Sequence, residues 1–201
     1  MLIITQPMRQ DRNMDADYGS SLVRRIRAMH TLYDEACATM TLEQVNRVTH
    51  PGVLPIAFSL VHQLLIEDGS LLFVGGTPAK FDQHWEARLG LAISDHGKAR
   101  AVDEMMGQRI GDYGAFLELQ QLVFGATESF VASIEPALFT EVVVAHPYGP
   151  GLDHTFSARV GGEEGITRSD AIESWIYQHG LRHMGEIEHA RALVGLGGMT
   201  S

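Results

Sequence analysis

Two histidines four residues apart, His179 and His183, stand in the stretch "ESWIYQHGLRHMGEIEHARALVGLGG", residues 173–198. That spacing puts both imidazoles on one face of a helix, a turn apart. Spacing alone carries little weight, since ten histidines in 201 residues give about half such a pair by chance. The face carries more. Ile172, Ile176, Ile187, Ala190 and Val194 recur around the pair at three- and four-residue steps. Both histidines therefore fall at core positions of an aliphatic seam. A buried polar group without a partner costs on the order of 1–3 kcal/mol. Each ring needs a side chain, a water or a metal ion.

A second helix repeats the pattern once, with Phe58, His62, Leu65, Gly69 and Leu72 as its stripe. Three inward imidazoles on two neighbouring helices make a facial set of nitrogen donors. Such a set holds a divalent metal and leaves a coordination position open for water or substrate. Core histidines satisfied by other polar groups meet the same demand, so both readings stand at this point. A di-iron reading of "EIEH", Glu186 to His189, fails for want of a second Glu-x-x-His element.

Other candidates have plainer readings. Cys37 lies on the apolar side of the first helix, where a small buried thiol is inert. His30 is expected at a helix flank, and His50, His84 and His96 in loops or at helix edges. His146, Asp153 and His154 share one turn region, read as a solvated loop near a pocket mouth. Glu67 follows His62 by five residues, so its helical phase points away from the seam. Gly75 and Gly76 lack the following Lys-Ser/Thr of a phosphate loop, and no Gly-x-Ser-x-Gly element occurs.

The elements that must position these side chains are four long helices. The first is expected over residues 20–39, and the second from near Pro55 to Leu72. The third runs from Tyr113 to Ile134, and the fourth from Ser169 to Gly195. A short helix follows the first, where Thr41 and Gln44 have capping-box spacing. "FDQHWEARLG" has the makings of another. Residues 141–165 read as an insertion, a long loop or small hairpin built on Val142–Val144 and Thr155–Val160. The expected fold is all-α: one four-helix-bundle domain over residues 1–201, with residues 1–17 as an N-terminal tail.

Composition narrows the function classes. Net charge is −10 with no cluster of Lys or Arg, which argues against nucleic-acid binding. No run approaches the ~20 apolar residues of a membrane span, and the N-terminus lacks the basic start of a signal peptide. A single cysteine excludes a disulfide within the chain. These features lead to the expectation of a cytoplasmic protein without a membrane or nucleic-acid partner.

An early inward histidine, followed near the C-terminus by "HGLRHMGEIEHARALVGLGG", resembles the DinB/YfiT-like superfamily of four-helix-bundle metalloproteins. The superfamily pattern of His-x-x-x-His-x-Gly-Gln/Glu-Ile falls on His179, His183, Gly185, Glu186 and Ile187, and its early histidine on His62. The resemblance implies a divalent metal, zinc or nickel, held by His62, His179 and His183. It also implies a small-molecule substrate, a low-molecular-weight thiol as co-substrate, and frequent homodimers. Activities known in the superfamily are bacillithiol- or mycothiol-dependent S-transfer and maleylpyruvate isomerisation. A non-catalytic metal-containing module for ligand binding or stress response is the alternative. The segment 141–165 is longer here than in compact members, so substrate identity does not carry over.

Overall fold

Why the chain folds as it does is clearest in its four long helices. The computed structural model describes residues 11–198. Helices α1 (Asp11–Ala38) and α2 (Leu42–Asn46) come first, then α3 (Ile56–Phe73) and α4 (Gln83–Leu89). After α5 (Val102–Met105) and α6 (Tyr113–Ser133) come strand β1 (Val142–Val144), α7 (Phe156–Gly161) and β2 (Ile166–Thr167). The chain ends in one continuous rod: α8 (Arg168–Ala171), a π-helical stretch (Ile172–Tyr177) and α9 (Gln178–Leu193). Among the described residues the only sheet is the antiparallel pair β1–β2.

Each long helix packs against two others: α1 on α6 and α9, and α3 on α6 and α9. Leu22, Ile26, Met29 and Tyr33 of α1 meet Leu60 and Leu71 of α3, Phe116 and Leu119 of α6, and Ile187 of α9 in one apolar core. Burying each such side chain stabilises the fold by about 1.5–3 kcal/mol. Helix α3 stands apart because it is buried on nearly every side, polar Gln63, Glu67 and Asp68 included. By composition it is long and apolar enough to cross a membrane, yet 67% of that span is buried inside the protein.

Local chemistry sets the helix boundaries. Thr41 caps α2 through the anticipated capping box with Gln44. Asp112 caps α6 by accepting from the Ala115 amide at 2.8 Å. Buried Arg191 donates to the Ala36 carbonyl at 3.0 Å and to Thr39 Oγ1 at 2.8 Å, tying the end of α9 to the end of α1. The long connection from α3 to α6 is pinned from within. Asp68 accepts from the Lys80 and Phe81 amides at 2.8 Å. Gln108 exchanges hydrogen bonds with the Ile93 backbone, and Asn46 with that of Ile110.

Several expectations need correction. Helix α1 begins at Asp11, well before residue 20. Its first residues carry no apolar stripe, so the hydrophobic pattern missed them. Of the expected tail over residues 1–17, residues 1–10 lie outside the described residues. Thr155–Val160 is not a strand: the Thr155 side chain accepts from the Ala158 amide and caps helix α7. The partner of β1 is instead Ile166–Thr167, beyond the expected insertion. Leu72, placed on the inward stripe of α3, is 60% exposed.

Gly180 shows how closely the helices approach. A Cβ there would lie 2.2 Å from Met29 Sδ and 3.1 Å from Gln63 Nε2. Its carbonyl accepts from the Tyr33 hydroxyl at 2.8 Å. Gly180→Ala forces α1 and α9 apart or Met29 off its rotamer, an overpacking that costs about 1–3 kcal/mol. Urea unfolding should show that loss as a lower midpoint, and an unchanged midpoint would refute the close approach.

Candidate metal centre

The packing of α3 on α9 brings His62 against His179 and His183. His62 Nε2 and His183 Nε2 each lie 3.2 Å from His179 Nε2. The three nitrogens are within 4.8 Å of one another and form the one three-residue cluster suited to a metal ion among the described residues.

The other nitrogen of each ring decides the chemistry. His62 Nδ1 donates to the His96 carbonyl, and His183 Nδ1 to Glu186 Oε2 at 2.7 Å. His179 Nδ1 donates to Gln63 Oε1 at 2.6 Å. A carbonyl and a carboxylate only accept, so those Nδ1 atoms carry the hydrogen. The Gln63 amide is oriented by its own donation to Glu67 Oε2 at 3.0 Å, which leaves its oxygen for His179. In the neutral rings Nε2 is then a bare lone pair, and three lone pairs converge. Burial, the largest cause, pushes the pKa of His62 down to about 4, and a proton there would also face the neighbouring His183 ring. Burial, and the crowding of any proton on His179 against His183 and His62, takes His179 down to about 2. A metal ion satisfies three converging neutral imidazoles, and the outward Nδ1 bonds hold the rings in the tautomer that it requires. The residues present fit a metal.

Each outward partner is itself held in place. Glu186 accepts a second hydrogen bond from Ser59 Oγ at 3.1 Å. The His96 carbonyl is delivered by a tight turn in which Asp95 accepts from the Gly97 amide at 2.7 Å. Gly97 has φ +76°, and a Cβ there would meet the Phe58 ring at 2.6 Å, so only glycine suits the position. Behind Gln63, Glu67 also accepts from Thr127 Oγ1 at 2.6 Å and from His30 Nε2 at 3.0 Å. His30 Nδ1 continues to Glu128 Oε1 at 2.9 Å, and Phe124 stacks on the ring at 3.8 Å between centroids. A buried polar chain thus runs from His179 through the core to α6.

The fourth helix reaches the site through its π-helical stretch. Such wide turns are often found at functional sites. This one carries Trp175, whose indole donates to Ser157 Oγ at 2.9 Å and ties α7 to the rod. Above the histidines lies a cavity of about 860 Å³, walled by Ile66, Phe73, Val144, Leu152, Phe156 and Trp175. The segment expected as an insertion thus contributes a wall of this cavity. His154 reaches its mouth with its side chain 93% exposed, as a solvated loop residue does. Cys37 is buried, and burial pushes its thiol up to about 11, so it is no nucleophile here.

Sequence reasoning named the three histidines and missed most of what holds them. His30 is not at a helix flank but 3% exposed, and Glu67, which helical phase turns away from the His62 seam, is fully buried against α1 and α6. The signal was available: a helix apolar on all sides has no solvent face to which a polar residue can turn. A Cβ at Gly185, part of the recognised pattern, would meet nothing within 4 Å. The structure supplies no steric reason for that glycine.

No protein-family model matches the sequence, and no curated protein matches it. In structure the chain is similar to a conserved protein of Enterococcus faecalis, known from its crystal structure. The TM-score is 0.68 at 15% identity, over 87% of this chain and 95% of that one. At that identity the likeness is one of fold.

Opposite pH slopes follow from the two histidine environments. Desolvation opposes charge on His30, but Glu67 and then Glu128 outweigh it, so its pKa is raised above 6.5. The folded state then binds the extra proton, and stability falls as pH rises through the raised value. In metal-free protein, the depressed His62 and His179 act the other way, and stability falls as pH drops from 6.5 toward about 4. Urea unfolding across pH should show both slopes, with His30→Gln removing only the alkaline one. Imidazole NMR shifts showing His30 neutral below pH 6.5 would overturn the assignment.

Proposed function

We propose that this chain is a divalent-metal protein of the DinB/YfiT-like type, a four-helix bundle that holds zinc or nickel on His62, His179 and His183. The observation that carries the reading is the convergence of three Nε2 atoms whose Nδ1 partners are all acceptors. The reaction we propose is transfer or isomerisation of a small molecule with a low-molecular-weight thiol. When bound, a divalent cation supplies an electrophilic position that favours the thiolate over the thiol near neutral pH. The chain's own part is orientation. Gln63, the His96 carbonyl and Glu186 fix the three rings, and the apolar wall of Phe73 and Trp175 offers a surface against which a substrate lies.

One observation favours a non-catalytic ligand-binding module instead. Among the described residues Glu186 is the sole carboxylate lining the cavity, and His183 and Ser59 already engage it. A dedicated proton acceptor is therefore not evident among the described residues. Calorimetry that finds ligands for the metal-loaded protein, with no turnover of any thiol and electrophile pair, would favour that module.

Elemental analysis of tag-free protein should find close to one divalent ion per chain, lost in His62→Ala, His179→Ala and His183→Ala. Full metal content in those variants would end the assignment. Gln63→Leu keeps all three ligands but frees the His179 ring, and should weaken metal binding by about 10–100-fold. Consumption of a thiol with an electrophile should stop on chelation and resume when metal is restored.

A further inference from the structure

The cavity is built for more than a metal ion. Its volume of about 860 Å³ lies in the range of pockets that enclose small organic ligands, ~300–1,000 Å³. Phe73 is 69% exposed and Phe156 49%, and both line it beside Trp175. Large aromatic side chains standing open in a concave wall are a surface that an apolar ligand covers.

The charge on the same walls is mostly positive. Lys98 and Arg182 line the cavity, and among the described residues neither makes an ion pair. Six arginines elsewhere do: Arg25, Arg27, Arg47, Arg88, Arg100 and Arg168. Both cations belong to the histidine end: Arg182 precedes His183 on α9, and Lys98 follows by two residues His96, whose carbonyl holds the His62 ring. Among the described residues the one acid in the lining is Glu186, which His183 and Ser59 already engage. In a chain of net charge −10, this is a local reversal of the overall field.

We propose that the cavity binds a small organic carboxylate with an apolar body. The carboxylate lies at the histidine end with Lys98 and Arg182, and the hydrocarbon or aromatic body lies on Phe73, Phe156 and Trp175. The inference deepens the reading of this cavity as the reaction site, but it needs neither a thiol nor turnover. Arg182 offers the planar fork that matches a carboxylate, and Lys98 a mobile point charge. Apolar contact with the aromatic wall supplies affinity, and the two cations supply the preference for an anion.

Octanoate, octanol and octylamine share a body and differ in the head group. Isothermal titration of the full chain, both metal-loaded and metal-stripped, should show octanoate binding at least about tenfold more tightly than either of the others. Lys98→Gln and Arg182→Gln should each weaken octanoate by about tenfold and leave octanol unchanged. Arg24→Gln, outside the cavity, serves as the charge control and should change neither. Equal binding of octanol overturns the proposal, as does octanoate binding that is insensitive to both variants. Preference for octanoate that disappears on metal stripping assigns the anion to the metal rather than to the two cations, and also overturns it. Octanoate binding by a protein that elemental analysis shows to hold no metal leaves the ligand class standing and removes the metal reading.

Discussion

Three imidazole lone pairs directed at one point repel one another, and the rest of the site exists to hold them there. The contact between α3 and α9 brings His62 within 3.2 Å of His179. Nothing in that apolar contact would by itself keep the rings facing inward. The work is done at the far nitrogens, each tied to an acceptor of a different kind: a backbone carbonyl, a side-chain amide and a carboxylate. The acceptors come from three places in the chain, so the ring orientations depend on the connection through residues 93–110 as well as on the helices.

The strongest of these supports lies in the core. Gln63, Glu67, Thr127 and His30 form a fully buried polar network, which is costly unless every member is satisfied. Here each is: Glu67 accepts three hydrogen bonds, and His30 bridges two carboxylates. Such a network specifies a single helix arrangement, because sliding α1 or α6 along α3 leaves a buried carboxylate unpaired. The stability of the helix packing and the aim of His179 thus rest on the same atoms.

Much of the frame was legible in the sequence. Four apolar stripes marked the long helices, and His62, His179 and His183 stood out as polar residues in aliphatic seams. What escaped the reading did so for identifiable reasons. The His96 carbonyl is backbone and leaves no mark in residue type. The role of Glu67 was missed because helical phase turns it away from the histidine seam, toward a second set of core partners on α1 and α6. The β-branched residues Thr155 and Val160 suggested a strand, but the Thr155 hydroxyl caps a helix. The π-helical stretch kept the four-residue step from Ile172 to Ile176, so apolar spacing gave no hint of its wider turn.

His62 and His179 are 117 residues apart in the chain, and their meeting has a bearing on how the protein assembles. Contacts this distant in sequence carry the loop-closure entropy of the intervening chain. Helices α1, α3 and α6 carry one of the three imidazoles and the whole Glu67 network. The remaining two donors arrive only with the final rod. A ligand that needs all three nitrogens recognises the finished fold alone, so its occupancy counts molecules that have completed folding.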